Sequence, residues 1–106
     1  MATRIAVALS TVPTAEVADE IARALVREGL AACVNVVPQI RSVYMWEGEL
    51  CDVPELLLVI KTRADRIDAV RGRLVELHPY DVPELVVLDV TGGHAPYLSW
   101  VESSSL

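Results

Sequence analysis

The stretch from Ala31 to Thr62 constrains this chain more than any other. It runs Ala31-Ala-Cys-Val-Asn-Val-Val-Pro38, then Gln39-Ile-Arg-Ser-Val-Tyr-Met-Trp46, reverses at Glu47-Gly48, and returns through Leu56-Leu-Leu-Val-Ile60 to Lys61-Thr62. β-branched and aromatic residues dominate the outward leg, and Glu47-Gly48 sits where a tight reversal belongs. The stretch reads as one long β-hairpin. Laid straight, Ala31 to Trp46 would span roughly 53 Å at about 3.3 Å per residue. A compact chain of this length is only about 33 Å across, given a radius of gyration near 13 Å. The hairpin must bend sharply or reach beyond its own domain. Pro38 and Pro54 are the expected bend, on opposite legs at similar heights, because each removes a ladder donor. Beyond them Ile40, Tyr44 and Trp46 share one face, and Val43 and Met45 the other. A two-stranded tip that is apolar on both faces cannot bury itself. Its expected cover is another subunit.

The remaining segments supply a body for that arm. Thr3 to Ser10 is an apolar run that reads as a buried strand, and Ser10 to Thr14 as a turn. Thr14 is the expected N-cap of a helix whose apolar face is Ala18, Ile21, Ala22, Leu25 and Val26, and Gly29 stops it. After the hairpin, Arg63 to Leu77 repeats apolar residues at helical spacing (Ile67, Val70, Leu74, Leu77), and Pro79 ends the helix near His78. Glu84 to Val90 reads as a fourth strand. Ala95 to Val101 reads as a short helix with Pro96 in its first turn, followed by a frayed tail from Ser103. The class is α+β. The order is βαββαβ plus a C-terminal helix, the ferredoxin-like plan of an antiparallel sheet with two helices on one face, as a single domain over 1–106.

Charge and cysteine content narrow the function classes. Fifteen acidic residues against nine basic ones leave a net charge of −6, which argues against nucleic acid or an anionic membrane as partner. No apolar run approaches the roughly 18 residues of a membrane span, and Ile5 to Leu9 is short for a signal-peptide core. The hairpin register holds Cys33 near Thr62 and Cys51 near Met45, too far apart to bridge. Free thiols without an export signal point to the cytoplasm.

No nucleophilic triad, phosphate-cradling glycine loop or clustered metal-ligand spacing is present. His78 is the titratable residue of most interest, read either as a cap on the second helix or as a metal or ligand contact beside Tyr80, Asp81 and Glu84. Lys61, the only lysine, reads as a strand-end charge in solvent or as the partner of Glu84 or a bound anion. Cys33 reads as a small buried hydrophobe and Cys51 as the more exposed thiol. Glu47, Glu49, Asp52 and Glu55 read as solvated charges guarding the hairpin tip. Trp46 and Trp100 read as packing anchors.

Leu30-Ala-Ala-Cys-Val-Asn35, Tyr44-Met-Trp-Glu-Gly48, Ile60-Lys-Thr62, Leu77-His-Pro-Tyr-Asp-Val-Pro-Glu84 and Tyr97-Leu-Ser-Trp100 together resemble the successive signatures of the CutA divalent-cation-tolerance proteins, in order from about Ala6 to Val101. The resemblance implies a ferredoxin-like subunit in a tight homotrimer, long hairpins extending the sheets across subunits, and a cytoplasmic or organellar protein linked to metal tolerance. Copper binding is implied from some members, and no settled catalytic activity is. Some members carry Cys where this chain has Ser10 and His where it has Leu77, which leaves His78 as the remaining soft-metal ligand of that set. The expected ligand cleft is inter-subunit, lined by Trp46, Lys61, His78, Tyr80 and Glu84. Tyr44, Met45, Trp46 and Trp100 are the expected oligomer interface. No cofactor is required on this reading, and a divalent metal such as Cu2+ is expected to bind weakly, through His78. The alternatives are a small-molecule-sensing signalling trimer resembling nitrogen-regulatory proteins, and an enzyme using His78 and Glu84 as acid and base.

Overall fold

The computed structural model describes residues 3–106. Its elements are β1 (Ile5–Val12), α1 (Ala15–Arg27), β2 (Cys33–Trp46), β3 (Glu49–Arg63), a 3₁₀ turn (Ala64–Arg66), α2 (Ile67–Leu77), β4 (Val86–Asp89) and α3 (Ala95–Ser104). The strands form one antiparallel sheet in the order β2-β3-β1-β4, the ferredoxin-like arrangement expected from the sequence. Strand alternation sends Ala8, Val12, Leu58 and Ile60 to the face that α1 and α2 cover, where they meet Ile21, Leu25, Val70 and Leu74 in a fully buried core. Val7, Leu9, Leu57 and Val59 alternate onto the other face and are only partly buried. α3 closes one end of the sheet, through a smaller cluster of Ile5, Ala32 and Val101 with Val90 and Leu98.

Local chemistry explains the helix ends. Thr14 Oγ1 accepts the Val17 N–H at 3.2 Å, a side-chain N-cap. Gly29 takes φ +74°, and the Leu30 and Ala31 amides both donate to the Leu25 carbonyl. The C-terminal tail is docked, not frayed. Leu106 N–H donates to Gly29 O at 2.7 Å, and the buried Ser105 donates from Oγ to Val101 O. A Cβ on Gly29 would lie 2.9 Å from Leu106 Cδ1, so a larger residue would displace that side chain in addition to straining the positive φ.

Several boundaries differ from the sequence reading. β1 runs on to Val12, because Thr11 and Val12 still pair with Leu57 and Leu56; Ser10 is therefore a buried strand residue and not part of a turn. Arg63 ends β3, α2 starts at Ile67, and β4 is confined to Val86–Asp89.

The hairpin bends by a bulge. Val37 pairs with Leu57 and Ile40 with Glu55, so Pro38 and Gln39 oppose the single residue Leu56, with Gln39 at φ +59°. Pro54 is not level with Pro38; it sits inside the ladder opposite Arg41. β1 stops at Leu56, so β3 has an open side at Pro54, toward which a missing donor is harmless. Past the bulge the two strands run unsupported, and the molecule measures 44 Å along its longest axis against 28 and 23 Å across. Met45 and Leu50 on this arm are 63% and 70% exposed.

Glu47 at φ +49° and Gly48 at φ +80° make a reversal with both central residues left-handed, the type I′ geometry that favours Asn-Gly. Glu47→Asn is expected to stabilise the fold by about 0.5 kcal/mol, because Asn tolerates that region better than Glu. Urea unfolding of the two proteins side by side checks this, and a lower midpoint for the variant would contradict the turn assignment.

Candidate functional site

A groove of about 960 Å3 opens where the arm leaves the body. Pro79 ends α2 and sends residues 78–85 across the end of β1 as irregular chain, which forms one bank. The arm forms the other bank, with Tyr44, Trp46, Cys51 and Val53. Between the banks lies Glu55, only 5% exposed, whose Oε2 accepts the Tyr80 hydroxyl at 2.9 Å. Glu84 at the rim receives a long hydrogen bond of 3.4 Å from Thr11 Oγ1.

His78 holds this bank in place from beneath. Its Nδ1 accepts the Tyr80 N–H at 3.2 Å, so in that arrangement Nε2 carries the proton and donates to Thr11 O at 2.8 Å. The ring is 7% exposed and stacks obliquely on Tyr80, with centroids 4.7 Å apart. Both nitrogens are therefore used inside the chain. In this arrangement His78 has no free lone pair to offer a metal. Its backbone N–H does cap α2, donating to Leu74 O, but the ring serves the loop.

Of the expected cleft residues, the structure brings Trp46, Tyr80 and Glu84 together on the groove and places His78 directly behind them. Lys61 is elsewhere. It pairs with Val7 and Cys33, and its Nζ lies 5.7 Å from the centroid of the Tyr97 ring. Glu84 is instead beside Thr11, about 13 Å further along β1 at about 3.3 Å per residue. The expected Lys61–Glu84 pair does not form within the chain, because β1 lies between β3 and the segment that carries Glu84, and the two residues sit at different heights along it. Among the interface candidates, Tyr44, Met45, Trp46 and Trp100 all present exposed surface, Trp100 on α3 against Tyr97 at 5.7 Å.

Ser10 and Leu77 both lie on the core side of the fold. Ser10 is fully buried beneath the helices, its hydroxyl without a partner among the described residues, and Leu77 packs onto the same core. Among the described residues no group of three or more His, Cys, Asp or Glu side chains converges as a metal site. Both cysteines are free, Cys33 opposite Lys61 and Cys51 opposite Tyr44, at the separate heights the register reading required.

The residue the sequence reading missed is Glu55. Grouped with Glu47, Glu49 and Asp52, it reads as one more solvated tip charge; in the structure it is the buried floor of the groove. The available signal was alternation: Cys51, Val53, Glu55, Leu57 and Val59 fall on one face, and one carboxylate amid apolar neighbours needs a partner.

Tyr80 has its pKa pushed up to about 12, first by burial of the hydroxyl and then by the hydrogen bond to, and charge of, Glu55. Because the folded value lies above the ordinary value of about 10, the phenol's contribution to stability is complete below pH 10 and is lost as pH rises through about 12. Ultraviolet titration of the three tyrosines should show a late component near pH 12 that disappears in Tyr80→Phe. An unchanged titration curve in the variant would place the Tyr80 hydroxyl outside this contact.

These features define a ferredoxin-like domain with an extended hairpin arm and a groove at the arm's root. The chain belongs to the CutA1 divalent ion tolerance protein family, whose profile it matches over residues 6–104. It is 48% identical over 99 residues to the divalent-cation tolerance protein CutA of Thermus thermophilus, covering 93% of this chain and 96% of that one. Against human protein CutA it is 44% identical over 97 residues, covering 92% of this chain but only 54% of the longer human protein. The solved structure of the PII-like protein CutA from Nostoc, in apo form, superposes with a TM-score of 0.89 at 37% identity, over 95% of this chain and 97% of that one.

Proposed function

We propose that this chain is a non-catalytic, cytoplasmic, homotrimeric member of the divalent-cation tolerance family that binds divalent metal, Cu2+ included, only weakly. The observation that carries the assembly is the uncovered apolar surface of the arm: Val43, Met45 and Leu50 are all 60% exposed or more. On β4, a sheet edge, Val86, Val87 and Leu88 are exposed as well. An arm of this kind calls for cover by a second copy, and fully burying one such side chain stabilises by about 1.5–3 kcal/mol. With both His78 ring nitrogens engaged, the ligands left for a metal are the exposed His94 and separate carboxylates and thiols, no three of which converge among the described residues, so affinity is weak. Among the described residues no helix is long and apolar enough to cross a membrane.

A second reading, small-molecule sensing in a signalling trimer, is favoured by the groove and by the likeness to the PII-like Nostoc protein. A metabolite that raises the melting temperature while metals do not would select it.

Sedimentation of the wild type at micromolar concentration is expected to show a single trimer, and Met45→Asp to dissociate it, because an unpaired carboxylate in a dry contact costs several kcal/mol. A folded wild-type monomer would refute the assembly. Calorimetry with Cu(II) is expected to give micromolar affinity or weaker, on the order of −8 kcal/mol, unchanged in His78→Gln. Stoichiometric nanomolar binding would overturn the metal half of the proposal.

A further inference from the structure

Glu55 is an anomaly as a buried charge. It is only 5% exposed, yet its one hydrogen bond among the described residues comes from a neutral phenol, on Oε2. Oε1 receives none, and no ion pair reaches either oxygen among the described residues. Arg41, from the facing strand, is held by Asp52. Carboxylates removed from water are ordinarily matched by a cation or by several donors. Here the unmatched oxygen belongs to a side chain that lines the groove.

The rest of the groove has a matching character. Asp81 and Glu84 add carboxylates at the rim, and no lysine or arginine among the described residues lines it. Tyr44, Trp46 and Val53 supply an apolar, partly aromatic bank. A negative floor beside aromatic faces attracts a positive charge twice, through the carboxylates and through the ring quadrupoles. An anionic metabolite would meet repulsion and no donor cluster. A bare divalent ion would find one unpaired oxygen and, among the described residues, no converging set of three ligand side chains. An ammonium head with an apolar body suits both halves of the groove: its N–H groups reach Glu55 and its body lies along Trp46.

We propose that this groove is a binding site for a small organic cation, with Glu55 as the charge partner of an ammonium group and Tyr44 and Trp46 as the wall for its apolar body. Tyr80 is a positioning residue that orients the Glu55 carboxylate through its hydroxyl. The floor is built within one chain, so the site stands independently of the metal reading.

The test is calorimetry with two compounds of one skeleton and opposite charge, phenethylamine and 3-phenylpropionate, at neutral pH. The amine is expected to bind saturably and the acid to give no heat. Glu55→Gln, which keeps a carbonyl oxygen to accept the Tyr80 hydroxyl, is expected to weaken the amine at least tenfold with the melting temperature preserved. If that variant does not fold, Asp81→Asn with Glu84→Gln tests the same charge dependence from the rim and is expected to weaken the amine several-fold. Sedimentation on the same samples reads the assembly separately, so a failed trimer and a failed site are told apart. Equal binding of the two compounds, no binding of the amine, or full affinity in Glu55→Gln would overturn the proposal.

Discussion

The structure depends on a mismatch of strand lengths. β3 has fifteen residues and β1 eight, and their ladder ends at Val12 opposite Leu56. Everything in β3 before Leu56 lacks a third strand, so the arm is a two-stranded ribbon whose side chains cannot find cover in their own domain. The bulge at Pro38 and Gln39 falls opposite Leu56, where that support ends. It is placed where a local break in the ladder can redirect the ribbon without disturbing the β1–β3 pairing that carries the core.

The same mismatch makes the groove. A ribbon leaving the sheet next to the end of β1 leaves a hollow between itself and the connection from α2 to β4. Pro79 makes that connection irregular chain, which needs side-chain contacts to hold its shape. His78 supplies them by bridging the Thr11 carbonyl and the Tyr80 amide, and Tyr80 in turn reaches across to Glu55 on the arm. These three contacts join the end of β1, the α2–β4 connection and the root of the arm. A histidine beside a tyrosine and two carboxylates looks catalytic or metal-binding in sequence, and here both of its ring nitrogens are engaged within the chain.

Much of the fold was legible, because hydrophobic periodicity and turn chemistry are local signals. Thr14, Gly29, Glu47-Gly48 and Pro79 each mark a boundary by a mechanism that acts within a few residues. The illegible part depended on strand order and register. Lys61 lies near the end of β3 and Glu84 just before β4, but β1 stands between them and they sit at different heights along it. Ser10 looked like turn chemistry beside Thr11 and Pro13, yet its strand neighbours carry it into the core. Pro54 and Pro38 were only loosely matched: counting back from Glu47-Gly48 already sets Pro54 opposite Arg41, three residues nearer the tip than Pro38. Glu55 was hidden by the company of Glu47, Glu49 and Asp52, although it alone of the four lies at the arm's root beside the end of β1.

Cover for the arm and access to the groove are compatible demands. Alternation along the ribbon puts Tyr44 and Cys51 on the groove side, while their neighbours Met45 and Leu50, which pair with each other, point the opposite way. Met45 and Leu50 are also the most exposed apolar side chains of the arm. A neighbouring subunit that seats on that outward face buries the larger apolar liability and fixes the ribbon's angle to the body. Because the ribbon is one bank of the groove, fixing its angle also fixes the groove's width over Glu55. On this view association and ligand capture act through one element, from its two faces, and a rigid arm is the condition for both.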